Sequence, residues 1–471
     1  MVKLNFKECE GFIMKKKVLS PVQKNEIIEL KIDAIGTEGQ GIGKHEGYAI
    51  FVPGALPGET VRALIIKSTP GYAIGKLVEI LQADPTRVEP RCSAFPKCGG
   101  CALQHLEYER QLHYKRRHVQ DVLERIGGMR SIVVEPVIGM ESPWNYRNKG
   151  SFPVRWADGR IAAGFFAPRS HRLIPINECS IQNGGISKTV RAVLDWAEDN
   201  NITPYDEASG SGIIRHIMVR QTSGGALMAV IVTTGALPCR SGLIKALTKS
   251  VEGLESIIHN IQAENTNVIL GDRYHVIWGK EYIVDRICDL EFEVSAASFL
   301  QVNHAQTEKL YQEAVGSLEL HGGESVADIY CGIGTITLML AKHSAEVIGI
   351  ESVEQAVLDA HKNAARNHIT NVRFMCAQAE EALPSLVKDG LRLDAVVLDP
   401  PRKGCGEEAL NVLGAAGAQR IAYISCNPAT LARDCRILYN HGYSIRRIVP
   451  VDMFPQAGTG HIETLACLER R

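Results

Sequence analysis

Three short stretches of this chain carry residue types suited to covalent catalysis, and each adjoins an apolar run that reads as a buried strand. Ser425-Cys426-Asn427-Pro428 follows the run RIAYI and places a thiol at its end. Asp399-Pro-Pro-Arg-Lys-Gly404 follows LDAVVL with two prolines, which make a stiff, non-helical loop able to hold a planar group in a slot. Gly460-His-Ile-Glu-Thr464 opens the last apolar run. A cysteine at an open strand end is a candidate nucleophile, provided its surroundings favour the thiolate over a thiol whose free pKa is roughly 8.5. Nearby cations are expected to do this, and Arg402 and Lys403 can also meet phosphate.

Asp328-Ile-Tyr-Cys-Gly-Ile-Gly-Thr335 reads as a strand, a glycine turn and a helix start, where a cofactor can approach backbone closely. It lacks the third glycine of a dinucleotide fingerprint and the lysine of a P-loop. Glu351 closes the next strand about 20 residues on, where an acidic side chain accepts both ribose hydroxyls. Together these favour an adenosine-bearing cofactor. A thiol beside a sulfonium methyl suits one demanding reaction. C5 of uracil is a poor nucleophile until a thiolate adds to C6 and makes C5 an enolate carbon, after which the C5 proton must leave to a base. Glu463 is the best candidate for that base. His461 comes second, because a histidine flanking a strand start is more often structural.

Thirteen cysteines are present. Most, including Cys239, Cys288 and Cys376, have no spacing pattern and read as small buried or surface thiols. Cys92, Cys98 and Cys101 form C-x5-C-G-G-C, and Cys179 supplies a distant fourth. Such a set can hold tetrahedral zinc or an iron–sulfur cluster, and spacing leaves both open.

The elements that must position these residues fall into three stretches. Residues 19–81 alternate apolar and polar between Gly- and Pro-bearing turns, which predicts a small OB-like β-barrel, with Gly36, Gly39, Gly41 and Gly43 marking sharp turns or close backbone approach. Residues 92–290 mix helix and strand, predicting an α+β domain. Its first helix is expected to turn Arg110, Lys115, Arg116, Arg117 and Arg125 outward around a stripe of Leu112, Val119, Leu123 and Ile126. Residues 291–471 alternate strand and helix, which means βαβ units and a parallel sheet with ligands beyond the strands' carboxyl ends. Net charge is −1, yet residues 91–180 hold 14 Lys and Arg against 8 Asp and Glu, a local basic footprint fit for phosphate. Neither an apolar run of membrane length nor a signal-peptide pattern is seen, so the expected address is the cytoplasm, with no membrane or DNA partner and a monomeric state.

SFLQVN (298–303), DIYCGIGT (328–335), the GIE of 349–351, DPPRKG (399–404), SCNPATLARD (425–434) and HIET (461–464) together resemble the RNA uracil-5-methyltransferase family, in its larger-subunit ribosomal RNA branch. The resemblance spans the C-terminal domain and implies a Rossmann-like, class I methyltransferase fold there. It implies that Gln301, Tyr330, Glu351 and Asp399 bind S-adenosylmethionine, that Cys426 is the nucleophile and that Glu463 removes the C5 proton. It also implies a [4Fe-4S] cluster on Cys92, Cys98, Cys101 and Cys179, a TRAM domain at 19–81, and 5-methyluridine in 23S ribosomal RNA as product. Leu300 stands where the family often has an aromatic residue. Two rivals are weighed: the same chemistry on the T-loop of transfer RNA, and a noncatalytic RNA-binding or iron–sulfur sensing protein.

Overall fold

Strict alternation along Ile27–Ile35, with Ile28, Leu30 and Ile32 inward, starts a five-stranded closed barrel in the computed structural model, which describes residues 20–388, 390 and 392–471. Its strands are β1 (Ile27–Ile35), β2 (Gly41–His45), β3 (Tyr48–Val52), β4 (Thr60–Ser68) and β5 (Tyr72–Gln82), in the order β1-β2-β3-β5-β4. Period-two side chains fill the interior with Ile50, Val52, Val61, Ala63, Ile65 and Ala73. At Gly41 a Cβ would stand 2.6 Å from the Ala55 carbonyl oxygen, so close backbone approach, as expected, explains the glycine. Glu59 is buried and held by Arg87 at 2.6 Å.

Contacts divide the chain after Arg87, and the second unit runs from Val88 to Arg471. It opens with α1 (Tyr108–Arg125). Next come β6 (Lys149–Ala157), β7 (Arg160–Phe166), β8 (Leu173–Pro175), α2 (Gly184–Asp199), β9 (Ile214–Gln221), β10 (Leu227–Thr233), α3 (Arg240–Ser250), β11 (Leu254–Ile261) and β12 (Arg273–Gly279). These strands form one sheet in the order β12-β11-β10-β9-β6-β7-β8. A hairpin, β13 (Tyr282–Ile287) and β14 (Leu290–Ser295), and α4 (His304–Ser317) lead to the last part.

That part consists of β15 (Ser325–Ile329), α5 (Thr335–Ala341), β16 (Glu346–Glu351), α6 (Glu354–Arg366), β17 (Val372–Cys376), α7 (Ala379–Lys388), β18 (Ala395–Leu398), α8 (Glu407–Ala416), β19 (Arg420–Ser425), α9 (Pro428–Asn440), β20 (Tyr443–Val451) and β21 (Glu463–Arg470). The second seven-stranded sheet runs β17-β16-β15-β18-β19-β21-β20, parallel except for the antiparallel pairs that β21 makes. From β15 the chain winds first to one side and then, at β18, to the other. This reversal opens a crevice beyond Ile329 and Leu398, the expected ligand position in such sheets. All four residues of β18 are buried, as fits a strand covered on both faces. One hydrophobic core joins Met228, Val230 and Ile258 of the first sheet to Phe292 and to Val326 and Val347 of the second. Among the described residues no helix is long and apolar enough to cross a membrane.

The expected outward face of α1 is corrected. Its buried positions are Gln111, Lys115, Val119 and Leu123, spaced every four residues, and Lys115 is fully buried. Lys115 Nζ pairs with Asp452 at 2.5 Å and donates to the Phe454 carbonyl at 2.8 Å. Arg116 donates to the Val134 carbonyl, while Ile126 is 53% exposed. The ion pair with Asp452 lets a lysine occupy the core-facing stripe.

Candidate functional site at the carboxyl end of the second sheet

The glycine turn after β15 bends through left-handed backbone at Tyr330, Gly332 and Gly334 (φ 70°, 55° and 84°) before α5 begins. Asp328 fixes the turn by accepting from Thr337 Oγ1 at 2.6 Å, while its other carboxyl oxygen is buried without a partner. Glu351, at the end of β16, accepts from the Gly332 N–H at 3.1 Å and from the Val353 N–H at 2.9 Å. It thereby ties the turn to the next strand. Tyr330 sends its hydroxyl toward Cys405, Glu380 and Asp434, so its backbone rather than its ring belongs to the turn.

Asp399, just past β18, is half-buried, and desolvation together with the Asp328 charge pushes its carboxyl up to about 7. Asp328 is likewise raised to about 7 by burial. The register Ser425↔Thr464 sets Cys426 against Glu463 one step further along. Glu463 is buried, and burial and Asp399 raise it to about 8 against the lowering pull of Arg402. Cys426 is half-buried. Contrary to expectation, its thiol is pushed up, first by burial and then by Glu463, with Arg402 opposing through charge and a hydrogen bond. Arg402 is exposed and also stands 3.5 Å from His461 Nδ1, so it lies at the open edge of the site.

Sequence reasoning missed how the loops at 399–404 and 426–428 brace one another. Side chains from the first two turns of α9 hold the 399–404 loop by its backbone. Asn427 Nδ2 and Thr430 Oγ1 donate to the Arg402 carbonyl, and Arg433 donates to the carbonyls of Lys403 and Cys405. Asp434 accepts from the Cys405 N–H at 3.0 Å and from Tyr423 at 2.5 Å. The signal was present: polar residues at 427, 430, 433 and 434 share one helical face.

Gln301 is buried just before α4. Its carbonyl accepts from Asn148 Nδ2 at 3.1 Å, and Asn303 caps α4. Tyr311, one face further along α4, feels the charges of Asp399, Asp328 and Glu463, which places the helix against the same crevice. Phe299 in this segment is 72% exposed. The crevice therefore concentrates the buried carboxyls of Asp328 and Glu463 with the half-buried Asp399, and Arg402 acts on Glu463. That arrangement fits a cationic ligand such as a sulfonium with its amine, which would favour the charged carboxylates.

Cys92, Cys98, Cys101 and Cys179 line one cavity of about 520 Å³ together with Arg147 and Lys149. Burial raises the Cys98 and Cys179 thiols, and raises Cys101 to about 12, with the neighbouring cysteines adding to the effect. Lys149 is pressed down to about 7 by burial, Arg220 and Arg147. Among the described residues no three His, Cys, Asp or Glu side chains are set to hold a metal ion. Four thiols lining one cavity are nevertheless the donor type that zinc or an iron–sulfur cluster takes, so the residues present fit either group.

A sequence profile described as tRNA (uracil-5-)-methyltransferase matches residues 245–471, and one for the TRAM domain matches residues 21–78. A Halalkalibacterium halodurans protein described as an uncharacterized RNA methyltransferase is 45% identical over 455 residues, covering 96% of this chain and 99% of its own. A Clostridium tetani protein of the same description is 44% identical over 454 residues, covering 96% and 98%. Among solved structures, the Pyrococcus abyssi tRNA (uracil-54, C5)-methyltransferase in complex with S-adenosyl-L-homocysteine is 27% identical. It covers 94% of this chain and 100% of its own, with a TM-score of 0.76.

Proposed function

Because this chain belongs to the RNA uracil-5-methyltransferase family, with a TRAM domain and an S-adenosylmethionine-dependent methyltransferase fold, we propose that it methylates C5 of a uridine in 23S ribosomal RNA. The observation that carries the chemistry is the juxtaposition of Cys426, just past β19, with Glu463 at the start of β21, with Arg402 acting on both. S-adenosylmethionine supplies the electrophilic methyl group, with Gln301, Tyr330, Glu351 and Asp399 as its binding residues. Cys426, as the thiolate, adds to C6 of the uracil, and C5 takes the methyl. Glu463, as the carboxylate, then accepts the C5 proton, and the Cys426 sulfur leaves C6 as the ring regains its double bond. Arg402 favours both charged forms. Folded RNA hides the base, so the target is splayed out of its stack into the crevice.

The cysteines Cys92, Cys98, Cys101 and Cys179 hold a [4Fe-4S] cluster in this reading, and its role is structural: it staples the 92–101 loop to Cys179 next to the basic helix α1, fixing an RNA-binding surface. The division of labour is 19–81 for RNA, 92–290 for cluster and RNA, and 291–471 for catalysis, in a cytoplasmic monomer. The four-cysteine cavity with the barrel favours ribosomal RNA, in line with the branch that the motifs resemble. The likeness to the Pyrococcus abyssi enzyme supports a second reading, in which the substrate is transfer RNA. Unmethylated 23S RNA and transfer RNA, offered in equal amounts with labelled S-adenosylmethionine, distinguish them. Label as 5-methyluridine in 23S RNA is expected; label confined to transfer RNA sinks the first reading.

A further inference from the structure

Three cations stand together at the start of β6 and the adjoining end of β9 without an opposite charge. Arg220 is 4% exposed, its Nε has no partner, and Nη2 donates only to the Ser298 and Ala296 carbonyls. The charges that act on Lys149 are Arg220 and Arg147, and both repel it. Arg147 Nε donates to the Lys149 carbonyl at 3.2 Å. Among the described residues none of the three has a carboxylate partner. Buried charges are paired or neutralised, because desolvation of a lone cation costs more than packing returns. Lys149 and Arg147 line the cavity that holds the four cysteines, so the missing negative charge belongs there. Asn148 lies between them and donates to the Gln301 and Val302 carbonyls, which binds this cationic ridge to the segment that reaches the catalytic crevice.

We propose that Arg147, Lys149 and Arg220 are the counter-charges of an anionic iron–sulfur–thiolate group in the four-cysteine cavity, with Lys149 as the positioning residue that sets how readily that group accepts an electron. The inference rests on the cluster reading given above. An adjacent cation favours the more negative, reduced state, so its removal must lower the reduction potential. The same cation also offsets repulsion among the four thiolates, so its loss must speed release of the metal.

The test uses the full-length protein purified without oxygen, as wild type, Lys149→Met and Lys149→Arg, with iron and sulfide content and reduction potential measured on each. Lys149→Met is expected to lower the potential by a tenfold change in the reduction equilibrium, about 59 mV for one electron, and to lose iron faster to a chelator, while Lys149→Arg restores both. Where the lysine variant does not fold, Arg147→Gln decides by the same two readouts. Iron and sulfide bound normally in all variants at an unchanged potential overturns the counter-charge alone. Weakened RNA binding with an unchanged potential does the same, because the anion is then an RNA phosphate. A wild type that holds zinc, or neither iron nor sulfide, overturns the cluster reading and this inference with it.

Discussion

The crevice at the carboxyl end of the second sheet and the four-cysteine cavity are both buried and both charged, with opposite signs. The crevice gathers Asp328, Asp399 and Glu463, with Arg402 acting on Glu463, and burial drives each of these carboxyls up to about 7 or 8. The cavity gathers Arg147 and Lys149, with Arg220 beside them, and no carboxylate answers them among the described residues. Neither place is electrostatically at rest by itself. In the reading proposed above, a cationic sulfonium suits the first and an anionic metal–thiolate group the second, each site carrying the charge that its proposed ligand lacks. The contrast teaches that the residual charge of a buried site, more than its shape, names the ligand.

The largest effect that can break this comparison is expected at the nucleophile. Cys426→Ala should lower methyl transfer by about 10⁴-fold or more, measured with labelled cofactor, and turnover near wild type would remove the thiol from the chemistry. Next is Glu463→Gln, which should cost about 10²–10⁴-fold in turnover while a protein–RNA adduct accumulates, since the C5 proton then has no acceptor. A gel that shows less adduct than wild type would count against Glu463 as that base.

A smaller effect comes from the cation in the acidic crevice. Arg402→Met should reduce kcat/KM at pH 7 by about ten- to a hundredfold and recover in part at higher pH, because the Cys426 thiol then ionises later still. An unchanged pH profile would show that Arg402 acts only on the loop. The smallest effect is on stability. Glu463 ionises near 4.3 when unfolded and near 8 in the fold, so the stability it contributes is complete below about pH 4.3 and is lost as pH rises to about 8. The melting temperature of Glu463→Gln should therefore gain on wild type between pH 5 and 8, and parallel curves would contradict the raised carboxyl.

Much of the catalytic end was legible because its information is local. A strand, a break and a helix start are written in adjacent residues, so the strand ends at Ile329, Glu351, Leu398 and Ser425 could be read together with the loops that leave them. The barrel was legible for the same reason, through period-two alternation in β1 and β4. What failed was non-local. Lys115 reads as one more cation in a basic helix until its partner, Asp452, arrives from 337 positions away. The state of the Cys426 thiol was misjudged because it depends on Glu463 and on burial, and these outweigh Arg402. The uncompensated charge around Lys149 was equally hidden, since it arises only where β6 meets β9.

The most direct measurement is adduct trapping on RNA that carries 5-fluorouridine at the target position. The fluorine cannot leave as the C5 proton does, so a bond between Cys426 and C6 should persist after methyl transfer. The prediction is a stable protein–RNA complex that forms only with S-adenosylmethionine present, with the RNA mapped by mass spectrometry to the peptide containing Cys426. No complex with a properly folded, cofactor-binding protein, or a complex mapped to another residue, would contradict it.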